Sequence, residues 1–198
     1  KGKNYLLRIA KSADRMSILI RDLLAYSRTT ATEKIYGKIL LSKLIKDIEY
    51  DLQEEIAEKK AIITLDNDLE IKMITFQFRQ LLHNILSNSL KFSRGGFAPN
   101  ISFHCVHASA SSFQKPNLEQ NKKYYYLRIR DNGIGFDNKY RDKVFELFQR
   151  LGNQEIQVGT GIGLAIVKKI VENHNGFIEA ESHENIGTTI HIYIPEVA

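Results

Sequence analysis

The chain has one cysteine, a small net charge and no long apolar run. Each of these features argues against a particular class of protein. A single cysteine, Cys105, excludes a disulfide within the chain and fits a reducing cytoplasm; its place in an expected strand favours a buried side chain over a nucleophile. No stretch approaches the roughly 18 apolar residues of a membrane-spanning helix, so we expect no membrane segment. The net charge of +5 comes without a basic run, so we expect no nucleic-acid partner.

Hydrophobic residues make up 43% of the 198 residues, which is enough for one well-buried domain with a helical appendage. The appendage is the first segment, where no glycine or proline interrupts residues 3–32 and apolar residues recur three or four apart: Leu6, Ile9, Ala13, Met16, Ile20 and Leu23. This spacing predicts one long helix at 3–28 with a seam that packs against another helix. Nothing else in the sequence supplies that helix, so we expect the partner to be a second copy or a segment upstream. Since the first residue is not methionine, we interpret the sequence as a piece of a longer chain.

A polar stretch at residues 29–32 divides the chain into residues 1–31 and a compact domain at 32–198. Within this domain the hydrophobic pattern predicts strands at about 39–41, 61–65, 71–74, 100–108, 124–130, 177–181 and 188–194. Helices are predicted at 42–59, with Ser42 as N-cap, at 75–92, near 139–148 and at 164–174. The polar residues 109–123 are predicted to form a mobile surface hairpin.

Two glycine clusters stand out in the second half of this domain. The first opens with Asp131 at a strand end and contains Gly133 and Gly135; the second, at residues 159–164, has the sequence Gly-Thr-Gly-Ile-Gly-Leu. Glycine lacks a Cβ, so its backbone can approach phosphate or a purine closely. A carboxylate at a strand end can accept a hydrogen bond from an exocyclic amine such as that of adenine. Short glycine motifs also recur by chance, and two ordinary turns are the alternative.

The helix predicted at 75–92 has two different faces. At about 100° per residue, Asn84, Asn88 and Lys91 fall together on one side. The other side is a broad apolar arc formed by Phe78, Leu81, Leu82, Ile85, Leu86 and Leu90. Taken alone, the polar stripe fits plain solvated surface. Beside a nucleotide pocket, an asparagine oxygen can complete the coordination of a phosphate-bound Mg²⁺, and a lysine can neutralise phosphate oxygens.

Four motifs together resemble the sequence boxes of bacterial sensor histidine kinases. Residues 80–92 (QLLHNILSNSLKF) resemble the asparagine box, 131–136 (DNGIGF) the first glycine box, 145–148 (FELF) the phenylalanine box and 159–166 (GTGIGLAI) the second glycine box. Order and spacing agree over about residues 35–195, including the terminal segments 174–178 and 187–189. The first helix, ending in DLLAYSR at residues 22–28, resembles the second helix of the dimerisation and histidine-phosphotransfer hairpin.

The resemblance implies an ATP-binding kinase domain of the class shared with type II topoisomerases, Hsp90-type chaperones and MutL. Its implied fold is α+β, a Bergerat-type α/β sandwich in which helices cover one face of a mixed sheet. Asp131 is implied to bind the adenine amino group and Asn88 to ligate Mg²⁺. Asn84, Lys91 and Arg150 form the implied catalytic set. Lys91 is implied to contact phosphate, and Arg150 is implied to lie near the γ-phosphate, within a mobile ATP lid at 149–158. The implied nucleotide-binding residues also include Asn84, Gly133, Gly135, Phe148, Gly159, Thr160, Gly161, Gly163, Leu164 and Thr188.

The function implied by the resemblance is transfer of the ATP γ-phosphoryl group to a histidine, for relay to a response regulator aspartate. The implied assembly is a cytoplasmic homodimer formed through the N-terminal helix, and whether the parent chain is membrane-anchored stays open. In this family the acceptor histidine precedes Glu or Asp in the first hairpin helix. Of the six histidines only His183 precedes an acidic residue, Glu184, and it lies among the predicted terminal strands. None stands in such a hairpin helix, so we expect the acceptor upstream of Lys1. His83, inside the asparagine box, is interpreted as a packed helix residue.

Three other functions are left open by the sequence. ATP-hydrolysing relatives carry a glutamate in the asparagine box as general base. Here the corresponding residues are His83 and Asn84, and an amide cannot take up a proton at neutral pH, which disfavours an ATPase. A protein-serine kinase shares the implied fold but usually lacks the preceding heptad helix. A degenerate module used only for nucleotide binding or dimerisation is disfavoured by the intact glycines and both asparagines.

Overall fold

The computed structural model describes residues 35–149 and 159–197, together with eight residues of the first segment: Ile9, Ala13, Met16, Ser17, Leu19, Ile20, Leu23 and Leu24. Those eight are helical, as predicted. The other residues of the predicted first helix, the boundary near residue 32 and nearly all of the predicted ATP lid lie outside the described residues. In the described part of the chain, no helix is long and apolar enough to cross a membrane.

The strands of the described residues form two sheets. A small antiparallel sheet pairs β1 (Tyr36–Leu40) with β3 (Glu70–Ile74). In the main sheet the strand order is β2-β4-β5-β7-β6, where the strands are β2 (Ile62–Asp66), β4 (Asn100–Ser109), β5 (Lys123–Asp131), β6 (Phe177–His183) and β7 (Gly187–Pro195). The pair β2–β4 is parallel and the other pairs are antiparallel, so the main sheet is mixed, as predicted.

Four α-helices lie in the described domain, and two helix predictions need correction. The helices are α1 (Leu41–Asp51), α2 (Gln53–Lys59), α3 (Thr75–Lys91) and α4 (Gly163–Asn173). The helix predicted at 42–59 is therefore two helices that meet at Leu52, where ψ is 16°. Ser42 is not an N-cap, because the helix already begins at Leu41; the Ser42 N–H donates instead to the Asp68 carboxylate over 2.9 Å.

The helix predicted near 139–148 is also wrong. This segment contains two single 3₁₀ turns, Asn138–Tyr140 and Lys143–Phe145. The second turn buries Val144 and Phe145, which are adjacent in sequence. Consecutive buried side chains fix one tight turn against the core, whereas an amphipathic α-helix would bury residues three and four apart.

The helices pack on one face of the main sheet and enclose the core, as predicted. The six apolar residues of the arc on α3 are all buried, and the sheet contributes alternate residues of its strands, including Ile101, Phe103 and Cys105 of β4. Cys105 is a buried free thiol, as expected, and burial raises its pKa to about 12. A thiol that is protonated at neutral pH is a poor nucleophile, which agrees with a packing role.

The connection between β4 and β5 covers part of the opposite face of the sheet. Because these strands pair antiparallel, residues 109–123 do form a hairpin connection, as predicted. Ala110 and Leu118 of this connection are buried in a second, smaller cluster with Tyr124 and Tyr193. The segment is therefore anchored at two apolar points on the sheet and is not a freely projecting hairpin.

Candidate functional site

Asp131, the last residue of β5, places its carboxylate where three segments of the chain meet. Oδ1 accepts hydrogen bonds from the backbone N–H groups of Gly133, at 2.8 Å, and Thr188, at 3.1 Å. Oδ2 accepts one from the Ser89 hydroxyl at 3.2 Å. Burial raises the pKa of the Asp131 carboxyl above its ordinary value, and these three hydrogen bonds oppose the rise. The structure thus brings Asp131 together with two other predicted site residues, Gly133 and Thr188.

The first glycine cluster lies in close backbone contact with its surroundings. A Cβ on Gly133 would lie 2.7 Å from the carbonyl oxygen of Phe92, which also accepts the Ile134 N–H at 2.9 Å. Gly135 has a φ of 60°, and a Cβ there would lie 2.0 Å from the carbonyl oxygen of His183. Larger side chains would force these segments apart. The glycines therefore set how closely this cluster docks on the end of α3 and on the β6–β7 turn.

The predicted stripe of Asn84, Asn88 and Lys91 is partly buried along one side of α3. The second glycine cluster crosses this stripe. A Cβ on Gly163 would lie 3.4 Å from Asn84 Oδ1 and 3.5 Å from Asn88 Nδ2, and a Cβ on Gly159 would lie 2.2 Å from Lys91 Nζ. The structure therefore brings the amides and the ammonium group against the glycines at the start of α4.

Left-handed backbone shapes the second glycine cluster. Gly159 has a φ of 110° and Gly161 a φ of 74°, and a Cβ on Gly161 would lie 2.8 Å from the carbonyl oxygen of Gln149. Thr160 is buried, and its hydroxyl accepts the Ile162 N–H at 3.4 Å. The side chain of the N-cap residue, Ile162, makes no hydrogen bond to the start of α4, and the first turn of this helix carries no acidic residue. The first N–H groups of an α-helix have no partner within the helix, and together with the partial positive charge of the helix start they favour an anion.

The structure gives less direct evidence for the remaining predicted site residues. Leu164, in the first turn of α4, is partly buried and packs its side chain against the core. Phe148 has a φ of 62° and is 59% exposed. Arg150, the candidate cation near the γ-phosphate, lies outside the described residues. His83 is partly buried on α3, in agreement with its interpretation as a helix residue.

Ser89 is a site residue that the sequence analysis missed. It is 5% exposed and supplies the hydroxyl that holds Asp131 Oδ2. A signal for it was present, because Ser89 stands four residues after Ile85 and three after Leu86. It therefore interrupts the apolar arc of α3, and a polar residue within a buried face needs a hydrogen-bond partner.

Arg94 and Asn132 were missed as well. Arg94 donates from Nε to the Asn132 carbonyl at 2.9 Å and from Nη1 to the Asn185 carbonyl at 2.6 Å. The Asn132 side chain donates to the Ala98 carbonyl at 3.0 Å and accepts the Asn100 N–H at 2.8 Å. Asn132 lies within the first glycine box, but the sequence does not show the hydrogen-bond partners of either residue, because these partners are backbone groups that any residue could supply.

The fold and this site together define a nucleotide-binding α+β domain, with a carboxylate at the end of the central strand and a glycine-rich helix start beside an amide stripe. Residues 74–198 match the family described as histidine kinase-, DNA gyrase B-, and HSP90-like ATPase, and the chain belongs to this family. The family assignment made from the sequence motifs is thereby confirmed.

Relatives that match nearly the whole chain include a phytochrome and a sensor protein kinase. Cyanobacterial phytochrome A of Nostoc sp. (strain PCC 7120) is 36% identical over 180 residues, which cover 91% of this chain and 22% of the phytochrome. Sensor protein kinase WalK of Staphylococcus aureus is 32% identical over 200 residues, which cover 93% of this chain and 43% of that protein. The chain thus spans less than half the length of either relative.

Solved structures of histidine kinases share the fold. Full-length ShkA in complex with AMPPNP gives a TM-score of 0.71 at 19% identity, covering 99% of this chain and 39% of ShkA. Histidine kinase ThkA in complex with the response regulator TrrA gives a TM-score of 0.65 at 19% identity, covering 98% of this chain and 51% of that one. The predicted α+β fold with helices on one face of a mixed sheet is confirmed.

Proposed function

We propose that this chain is the catalytic domain of a sensor histidine kinase and transfers the γ-phosphoryl group of ATP to a histidine outside this sequence, for relay to a response regulator aspartate. The observation that carries the proposal is that one site combines the partly buried carboxylate of Asp131 with the Asn84–Asn88–Lys91 stripe and the glycine cluster that crosses this stripe. The family includes ATPases as well as histidine kinases, and the similarity to the sensor protein kinase WalK favours kinase activity over ATP hydrolysis alone.

The adenine base is assigned to Asp131. An ionised carboxylate offers about four acceptor positions, and the N–H groups of Gly133 and Thr188 and the Ser89 hydroxyl occupy three of them. One acceptor position on Oδ2 is therefore left for the exocyclic amine of adenine. Gly133 and Gly135 let the chain after Asp131 pack closely on the backbone of Phe92 and His183, which supports the carboxylate at the proposed position of the base.

The phosphates are assigned to the second glycine cluster and the stripe on α3. Lys91 Nζ lies against the backbone of Gly159, at a position that a Cβ would fill, so the ammonium group and the backbone share one anion site. Backbone N–H groups of Gly161 and Gly163, near the start of α4, supply further donors. The side chains of Thr160, which is buried, and Leu164, which is partly buried, hold this turn, and the backbone of the exposed Phe148 lies next to Gly161.

The chemistry of these residues fits Mg²⁺, with Asn88 as its ligand from the protein. The described residues contain no cluster of three or more His, Cys, Asp or Glu that could hold a metal ion. The fit therefore depends on a neutral amide oxygen acting together with phosphate oxygens, an arrangement that Mg²⁺ accepts because it binds through few protein ligands. When bound, the ion would neutralise phosphate charge.

In the transfer step, the chain's own residues bind and orient the triphosphate. Lys91 and Arg150 neutralise charge on it, and Asn84 fixes the stripe by donating its amide to the Gln80 carbonyl at 3.0 Å. Phosphoryl transfer depends mainly on such positioning and charge neutralisation. We further propose that the chain works in the cytoplasm as a homodimer joined through its N-terminal helix, where Ile9, Met16, Ile20 and Leu23 are exposed.

The test is nucleotide binding followed by phosphotransfer. Calorimetry is expected to show binding of ATP that strengthens with Mg²⁺. With γ-labelled ATP, this chain alone is expected to form no phosphohistidine, whereas a longer chain that carries the upstream hairpin is expected to become labelled. Release of labelled phosphate without labelling of the longer chain would favour the ATPase alternative, and absence of ATP binding would refute the proposal.

A further inference from the structure

We propose that Arg94 is a positioning residue for the adenine end of this site and that it sets the affinity for the base through Asp131. The inference depends on the proposed function, since it assigns a role within the same site. The hydrogen bonds of Arg94 within the described residues go to the backbone carbonyls of Asn132 and Asn185, and not to the Asp131 carboxylate. Arg94 acts on the two segments that hold the carboxylate in place.

The guanidinium of Arg94 joins those two segments directly. Its Nε–H donates to the carbonyl of Asn132 at 2.9 Å, and Nη1 donates to the carbonyl of Asn185 at 2.6 Å. Its Cζ lies 4.5 Å from the centre of the Phe97 ring, which supports the plane of the guanidinium. A rigid fork of donors on one planar group can hold two carbonyls at a fixed separation, which a lysine cannot do.

These two carbonyls belong to the chain on either side of the Asp131 carboxylate. Asn132 directly follows Asp131, and Asn185 lies in the β6–β7 turn just before Gly187 and Thr188. Oδ1 takes its hydrogen bonds from these same segments, through Gly133 and Thr188. If the segments separate, the Thr188 N–H moves away from Oδ1 and the carboxylate gains freedom to rotate away from the base.

The two segments also touch through their backbones. A Cβ on Gly187 would lie 2.0 Å from the carbonyl oxygen of Asp131, and the Asn185 N–H donates to the Ile134 carbonyl at 2.6 Å. This contact lies at the paired ends of β5 and β7, and Arg94 adds a further link between the segments that continue from these strands. Because Arg94 stands three residues after the end of α3, it also connects the adenine end to the helix that carries Asn88 and Lys91.

Arg94 can be replaced without opening the core. It is only partly buried and lines an open cleft of about 470 Å³ formed by residues 59–60 and 93–99. Its substitution removes a link between loops and leaves no internal cavity. The variants Arg94→Lys and Arg94→Gln are therefore expected to fold, and a thermal unfolding curve for each checks this.

The experiment measures adenosine and ATP binding by calorimetry for wild type, Arg94→Lys and Arg94→Gln. Adenosine carries no phosphate, so it separates positioning of the base from attraction of the triphosphate by positive charge. We expect both variants to lose adenosine affinity by roughly fivefold or more and to lose ATP affinity by the same factor. Arg94→Lys is informative because lysine keeps the positive charge but lacks the planar pair of donors that holds both carbonyls. Lys60→Gln, which removes a charge from the same cleft, is the matched control and is expected to bind adenosine like wild type.

The other outcomes contradict the inference in different ways. If only ATP binding weakens, or if Arg94→Lys binds like wild type, Arg94 acts as a charge. If the melting temperature falls but adenosine affinity does not change, its role is structural alone. In an Asp131→Asn background Arg94→Lys should cause little further loss, so two independent losses would also overturn the inference. A wild-type chain that binds neither ligand would refute the proposed function itself, and the inference would fall with it.

Discussion

The backbone N–H of Thr188 donates a hydrogen bond to the Asp131 carboxylate over 3.1 Å, although the two residues are 57 positions apart in sequence. The bond joins the start of β7 to the end of β5, which are neighbouring strands of the main sheet. The register of the sheet therefore helps to orient Oδ1, together with the local hydrogen bond from the Gly133 N–H. An acceptor that is fixed in this way needs little rearrangement when a ligand binds.

Asp131→Asn is expected to weaken adenosine and ATP binding by about 1.5–3 kcal/mol, which is roughly 10- to 150-fold. The amide presents a donor toward the adenine amine and removes the charge that strengthens the hydrogen bond. Calorimetry with both ligands gives the measurement. Asp137→Asn is a suitable control, because that carboxylate is paired with Lys139 on the surface. Equal affinities in wild type and Asp131→Asn would exclude Asp131 as the adenine acceptor.

The same substitution is expected to change how stability depends on pH. Burial raises the folded-state pKa of Asp131 above its ordinary value of 3.8. Between that value and the folded-state pKa, the folded protein keeps a proton that the unfolded chain has lost, so wild-type stability falls as pH rises through this window. The amide introduced by Asp131→Asn cannot titrate, so the stability of this variant relative to wild type should increase as pH rises.

Urea unfolding of both proteins between about pH 4 and pH 7 measures that difference in the free energy of unfolding. If the stability of Asp131→Asn relative to wild type instead falls as pH rises, the hydrogen bonds from Gly133, Thr188 and Ser89 outweigh burial. In that case the pKa of the carboxyl is lowered in the folded protein and the sign of the prediction is wrong.

Asn88→Ala is expected to reduce Mg²⁺-dependent ATP binding and to leave adenosine binding close to the wild-type value. The amide is proposed to act through the ion, and adenosine has no phosphate to bring an ion to the site. Titrating ATP with and without Mg²⁺, and adenosine alone, separates these effects. Equal loss of affinity for both ligands would mean that Asn88 has only a structural role.

Gly159→Ala is expected to weaken ATP binding by roughly tenfold or more while adenosine binding changes little. The new Cβ would lie 2.2 Å from Lys91 Nζ, and alanine is strained at a φ of 110°, so both the ammonium group and the backbone would shift. Gly95→Ala is the matched control, since no atom lies within 4 Å of a Cβ built there. If ATP affinity is unchanged in Gly159→Ala, Lys91 does not contact the phosphates.

The double variant Ile9→Lys, Met16→Lys is expected to be monomeric in light scattering while ATP binding persists. The side chains of Ile9 and Met16 are 65% and 59% exposed in the single chain, and burying each would contribute about 1–3 kcal/mol to association. Wild-type chain is expected to self-associate with rising concentration. A wild-type chain that stays monomeric at high concentration would contradict the proposed homodimer.

Most of the fold could be predicted from the sequence, because the buried residues of a helix or strand recur at a regular spacing. The six-residue arc of α3 and the alternation in β5 and β7 identified a helix and two strands close to their observed bounds. Helix breaks and short turns were harder to predict from the sequence. The break at Leu52 has neither glycine nor proline to mark it, and the 3₁₀ turns at 138–145 carry helix-forming residues in a segment fixed by adjacent buried side chains.

For the site, the sequence by itself determined which chemical groups are present: the strand-end Asp131, the stripe of Asn84, Asn88 and Lys91, and the two glycine clusters. Side-chain chemistry and helical spacing are local properties, so they can be recognised without the fold. Only the tertiary structure decided how these groups meet. Gly159 lies against Lys91, Gly163 lies against the amides of Asn84 and Asn88, and the Thr188 N–H donates a hydrogen bond to Asp131. It also decided the partners of Arg94, because backbone carbonyls are identical along the chain and only folding selects which two of them a guanidinium reaches.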